Sequence, residues 1–113
     1  MKKTNIRVYS NLNNNEENNE FLAIKSSNLI KYIDLENNKM TIDIKNNLII
    51  RENIDYLFQM DFNNNKISIT VKKFNRKLEK DIKTIIISKT VNKFLVRYQL
   101  TDEKIINEYY VKF

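Results

Sequence analysis

Apolar and polar residues alternate with a period of two along almost the whole chain, the spacing of strands that bury one face. In "NIRVYSN" Ile6 and Val8 share one face, with Arg7 and Tyr9 on the other. "FLAIKSSNLIKYIDL" sets Leu29, Lys31, Ile33 and Leu35 against Ile30, Tyr32 and Asp34, and "KMTIDIK" sets Met40, Ile42 and Ile44 against Thr41 and Asp43. "NLIIR" continues the pattern, "NIDYLFQMDF" aligns Ile54, Tyr56, Phe58, Met60 and Phe62, and "KISITVK" aligns Ile67, Ile69 and Val71. "IKTIIIS", "KFLVRYQL" and "KIINEYYVKF" complete a set of about nine or ten short strands. The expected core is Ile42, Ile44, Ile50, Phe58, Phe62, Ile69, Val96 and Tyr98.

The chain has no glycine and no proline, so something else must reverse it between strands. Asparagine stands at the breaks, in "NLNNNEENN", "ENN", "KNN", "NNN" and "TVN". Asn tolerates positive φ better than other residues with a Cβ, and its side chain can bond nearby backbone. The tract at 11–19 reads as a mobile hairpin loop. One segment is ambiguous: "FNRKLEKDIK" puts Phe74, Leu78 and Ile82 at helical spacing, with a Glu79–Lys83 pair. The same three residues also share parity in a strand, and no capping residue precedes them, so a strand is the first expectation and a short helix over 74–83 the second.

Sequential strands joined by short turns predict a single all-β domain over residues 1–113. Its first expectation is a small antiparallel up-and-down barrel, which leaves no exposed edges. A β-sandwich with a short helix near 74–83 is the alternative.

From "MTIDIKNNLIIRENIDYLFQMDF" to the C-terminus, and more loosely from "IRVYS", the order of features resembles the YwiB-like family of uncharacterised bacterial proteins. That family carries a strand ending in arginine followed shortly by glycine; "IIREN" supplies Arg51, with Asn53 at the glycine place. It also carries a basic-aromatic-glycine corner, matched by "VKKFNR" with Phe74 as the aromatic and Asn75 for glycine. "FLVRYQL" and "NEYYVKF" match its last two strands. The charged "RKLEKDIK" departs from the family's apolar alternation. The resemblance implies a calycin-like, lipocalin-like barrel with no established activity.

Composition narrows the chemistry. Histidine, cysteine, tryptophan, glycine and proline are absent and alanine occurs once, while Asn, Lys and Ile abound. Most of the over-used residues have AT-rich codons, which reads as drift in a low-GC bacterial genome. Without His or Cys there is no His-based triad, thiol chemistry or ordinary zinc site, and without Gly no phosphate loop or dinucleotide fingerprint. Acids such as Asp43, Asp55 and Asp61 read as solvated strand faces. No catalytic residue, cofactor or metal is expected. "MKKTNIRVYS" lacks the apolar run of a signal peptide, and no window approaches the roughly 20 apolar residues of a spanning helix. A soluble cytoplasmic protein with no membrane partner is expected.

Two binding readings remain. Calycin-like barrels often hold a small apolar ligand inside, and Tyr56, Phe58, Met60, Phe62, Phe94, Val96 and Tyr98 could line such a cavity, with Arg51, Tyr56, Phe58 and Tyr98 as the site residues. The alternative comes from charge. Residues 1–65 hold 8 basic and 9 acidic groups, net −1, whereas residues 66–113 hold 12 and 5, net +7. Lys72, Lys73, Arg76, Lys77, Lys80 and Lys83 cluster around Phe74, a mixture that suits the backbone and bases of single-stranded nucleic acid. An accessory role through an exposed strand edge is a third possibility.

Overall fold

The computed structural model describes residues 2–113, which form ten antiparallel strands closed into a barrel. They are β1 (Lys2–Leu12), β2 (Asn15–Ser26), β3 (Leu29–Ile33), β4 (Lys39–Asp43), β5 (Leu48–Glu52), β6 (Tyr56–Asp61), β7 (Lys66–Val71), β8 (Arg76–Thr90), β9 (Lys93–Leu100) and β10 (Ile106–Lys112). Each pairs with its sequence neighbour, and β1 with β10 completes the circle, which excludes the sandwich. The segment 74–83 is not a helix. A single 3-10 turn, Lys72–Phe74, leads into β8, where Leu78 faces Ile69 across the sheet while Phe74 stays 71% exposed. A helix would have required Phe74, Leu78 and Ile82 to bury one common stripe.

Register carries the inner face from strand to strand. Ile6 stands opposite Phe21, Ile30 opposite Ile42, Ile42 opposite Ile49, Ile49 opposite Met60, and Phe94 opposite Val111. Because strand side chains alternate, fixing one such pair fixes the face of every residue in both strands. This corrects Ile50, which lies opposite Thr41 and Gln59 on the outer face; its neighbour Ile49 is the buried one. Ile69 does face inward, but at a level where the barrel is open, and is 36% exposed. Ile42, Phe62, Val96 and Tyr98 are buried, and Ile44 and Phe58 pack partly against the core.

The turns work as the asparagines suggest. All six residues with positive φ are Asn: 13, 14, 37, 47, 65 and 75, between 47° and 65°. The tract at 11–19 is a correction, because only Asn13 and Asn14 form the turn. The rest is paired strand, running from Leu12 opposite Asn15 to Val8 opposite Asn19. Three turns share a further device. In "DLENN", "DIKNN" and "DFNNN" the carboxylates of Asp34, Asp43 and Asp61 accept backbone N–H bonds from residues two to four positions on. Each also accepts from an Asn side chain, at 3.1, 2.8 and 2.7 Å. These acids are turn caps. For Asn37, whose φ is 64°, replacement by alanine is expected to cost about 1 kcal/mol, while glycine is nearly neutral. Urea melts of the two variants check this, and equal stability of both would remove the backbone explanation.

The barrel is closed at one end and gaping at the other. The five turns β1–β2, β3–β4, β5–β6, β7–β8 and β9–β10 share one end, and that end is splayed along two seams. β8 pairs with β7 over Arg76–Asp81 but meets β9 only from Ile82 onward, after which a bulge between Thr84 and Ile86 bends it around the barrel. β2 pairs with β1 throughout but with β3 only over Ile24–Ser26. Above both points the interior is reachable from solvent. Met60, Phe62, Phe94, Val96 and Val111 fill the other end.

Candidate ligand site at the barrel mouth

Arg51 is placed in the mouth by β5, where it lies in register with Met40 on β4 and Phe58 on β6. Its guanidinium carbon sits 5.4 Å from the centre of the Phe58 ring, a cation–π distance. Three tyrosines stand around it. Tyr32 and Tyr109 are buried and share a hydrogen bond between their hydroxyls, and Tyr98 is buried with its ring 5.5 Å from that of Phe62. Burial pushes the Tyr32 phenol up to about 12, reinforced by the Asp34 charge, and burial likewise raises Tyr98 to about 12 and Tyr109 well above its ordinary value. The positive charge of Arg51 acts on all three in the opposite direction, which marks how close it stands to them.

Three adjoining cavities meet here. One of about 240 Å³ opens at the β2–β3 seam and is lined by Ser10, Phe21, Tyr32, Met40, Arg51 and Tyr109, with Glu17, Asp34 and Glu36 at its lip. A second, about 330 Å³, lies between Arg51, Tyr56, Phe58 and Ile69. The third, about 480 Å³, occupies the β8–β9 seam and is walled by Leu12, Phe58, Ile67, Ile69, Leu78, Tyr98 and Leu100. Arg51 borders the first two, and Phe58 and Ile69 border the last two. The polar lip and the apolar cleft are thus halves of one mouth.

The structure therefore brings Arg51 and Phe58 together, puts Tyr98 across the apolar cleft from them, and sets Tyr56 at the rim, 47% exposed. Met60, Phe62, Phe94 and Val96, read from the sequence as cavity lining, instead plug the closed end. Tyr32, Tyr109, Leu78 and Met40 line the mouth, and sequence reasoning missed them as site residues. Their parity was visible, but only the pairing of β5 with β4 and β6 shows which strands share a level with Arg51.

The basic segment is divided by the same parity. Lys72 is held by Glu52 at 2.7 Å and Lys80 by Asp102 at 3.3 Å. Arg76, Leu78 and Lys80 stand in register with the inward residues Val71, Ile69 and Ile67, whereas Lys77 and Lys83 lie on the outer face with Glu79 and Asp81 between them. Lys73 lies 5.7 Å over the Phe74 ring at the tip of the turn. The outer wall carries ion pairs such as Arg7–Glu20 and Arg97–Glu108. Among the described residues no helix is long and apolar enough to cross a membrane.

No family model, curated protein or solved structure matches this chain.

Proposed function

We propose that this protein is a non-catalytic binding protein that takes a small, largely apolar ligand into the mouth of its barrel. The observation that carries the reading is the cleft of about 480 Å³ at the β8–β9 seam, whose surface is predominantly apolar yet open to water, although Asn13, Glu79, Lys80 and Asn107 also line it. A cleft of this size and lining is what small-molecule sites have in common. Leaving it empty keeps Leu78 54% exposed and Ile69 36% exposed, so a ligand would remove from water apolar surface that the fold leaves wet. The reading includes kinship with the YwiB-like barrels, supported by the barrel itself and by Arg51 and Phe74, and a cytoplasmic location, supported by the cysteine-free sequence.

Titration with the uncharged fluorophore N-phenyl-1-naphthylamine tests it. Saturable binding of one molecule per chain is expected, lost in Leu78→Glu and kept in Leu22→Glu, which changes a 65% exposed residue on the outer wall instead. Equal losses in both variants, or no binding, would refute the mouth as a ligand site. A single-stranded oligonucleotide, tried in parallel, is expected to bind weakly and without regard to Phe74, because the cluster's charges are split between two faces and partly paired. Tight binding that Phe74→Ala abolishes would favour nucleic acid as the partner.

A further inference from the structure

The Arg51 side chain stands in the mouth against the Phe58 ring, with no carboxylate bound to it. Its guanidinium makes no salt bridge and no hydrogen bond among the described residues, whereas Lys72 and Lys80 nearby are each held by a carboxylate. Asp34, which lines the same cavity, is committed to its own turn, where it accepts from the backbone of Glu36 and Asn38 and from the Asn38 side chain. A partly buried guanidinium keeps five donors that need acceptors, and without an anion it gains little in return for leaving water. Its position is also specific. It lies where the polar cavity and the apolar cleft join, stacked near Phe58, with the buried Tyr32 and Tyr109 hydroxyls lining the same cavity.

Resting on the ligand-binding reading above, we infer that the ligand is an amphipathic monoanion, a carboxylate head bound by Arg51 with an alkyl or aryl tail along Phe58, Ile69, Leu78 and Tyr98. A planar guanidinium matches a carboxylate through two parallel N–H···O bonds, and the fixed fork is part of the recognition. A single charge is the right complement. Arg51 offers one positive charge, and Glu17, Asp34 and Glu36 in the same cavity oppose added negative charge, so a phosphate dianion is disfavoured more than a carboxylate. The apolar cleft runs from Arg51's neighbour Phe58 toward Leu78 and Leu100, so head and tail are accommodated by one continuous surface.

Calorimetric titration with decanoate, decanol and decylamine, each below its aggregation concentration, separates head from tail. Decanoate is expected to bind ~tenfold or more tightly than decanol, the scale of one charge-assisted hydrogen-bonded pair, with decylamine the weakest. In Arg51→Met the preference for decanoate over decanol should vanish while decanol itself still binds, which also certifies that the variant is folded. Arg51→Lys should keep part of the preference, since it retains the charge and loses the fork. Equal affinity for decanoate and decanol in the unaltered protein would overturn the inference and leave the ligand-binding reading standing. Failure of all three to bind, together with failure of the uncharged fluorophore, would overturn both.

Discussion

Phe94→Ala is expected to cost roughly 3 to 5 kcal/mol, enough to bring a domain of this size close to unfolding in water. The side chain is 0% exposed, stands opposite Val111 at the closed end of the barrel, and is the largest fully buried group there. Water cannot enter the hole that alanine would leave, so both the lost transfer free energy and the cavity are felt. Phe58→Ala makes the useful contrast. Read from the sequence, Phe58 is as good a core residue as any, but it walls the mouth and is only partly buried, so its loss should cost roughly 1 to 2 kcal/mol. Urea unfolding decides between them. A drop in midpoint of ~2 M or more for Phe94→Ala at unchanged slope, and less than half of that for Phe58→Ala, is the expected pair of results. If Phe58→Ala proved the more damaging, the filled end and the open end of the barrel would have to be exchanged.

That contrast marks where sequence reading succeeds and where it stops. The strands, their number and the up-and-down barrel follow from period-two alternation and from short turns, because both are local properties. The turn chemistry was legible for the same reason: Asn supplies positive φ wherever glycine would have stood. Parity was legible only where a strand alternates cleanly. In "LIIR" two isoleucines are adjacent, and nothing local says whether Ile49 or Ile50 is inside; the pairing of Ile42 with Ile49 decides it. Level along the barrel axis was not legible at all. Phe58 and Phe94 have the same pattern around them, yet one lies in an open seam and the other in a sealed end, because β8 leaves β9 at Ile82 and takes its partner from β7 instead. The candidate site shows the same division. Arg51, Phe58 and Tyr98 were named from the sequence, whereas Tyr32 and Tyr109 reach Arg51 only through contacts remote along the chain, their own hydroxyl bond joining residues 77 positions apart.

Those buried tyrosines should also make the fold alkali-sensitive to an unusual degree. Tyr32 and Tyr98 titrate near 12 in the folded protein, chiefly because burial disfavours the phenolate, against an ordinary value of 10.0 in the unfolded chain. Below pH 10 both states hold the protons and stability is at its full value. As the pH rises past 10 the unfolded chain releases protons that the folded chain keeps, so the unfolded state binds fewer protons and stability must fall. The loss is complete once the folded tyrosines themselves ionise, near pH 12. A shift of this size is worth ~3 kcal/mol for each residue, and Tyr109, shifted in the same direction, adds to the slope. Unfolding free energies measured in urea between pH 8 and about pH 11.5 should therefore decline steeply over the last two units, with the tyrosinate absorbance of the three buried tyrosines appearing as the protein unfolds. Tyr98→Phe is the discriminating variant. It removes one of the shifted groups without stranding a partner, whereas Tyr32→Phe would deprive the Tyr109 hydroxyl of its hydrogen bond and cost about 1 to 3 kcal/mol at every pH. By pH 11.5 the alkaline decline of Tyr98→Phe should be smaller than that of the unaltered protein by ~2 kcal/mol, most of the limiting difference. Every other ionisable group is common to the two proteins, so the difference between the two curves isolates the tyrosine. Superimposable curves would mean that Tyr98 ionises as freely in the barrel as in the unfolded chain, and that water already reaches its hydroxyl from the mouth.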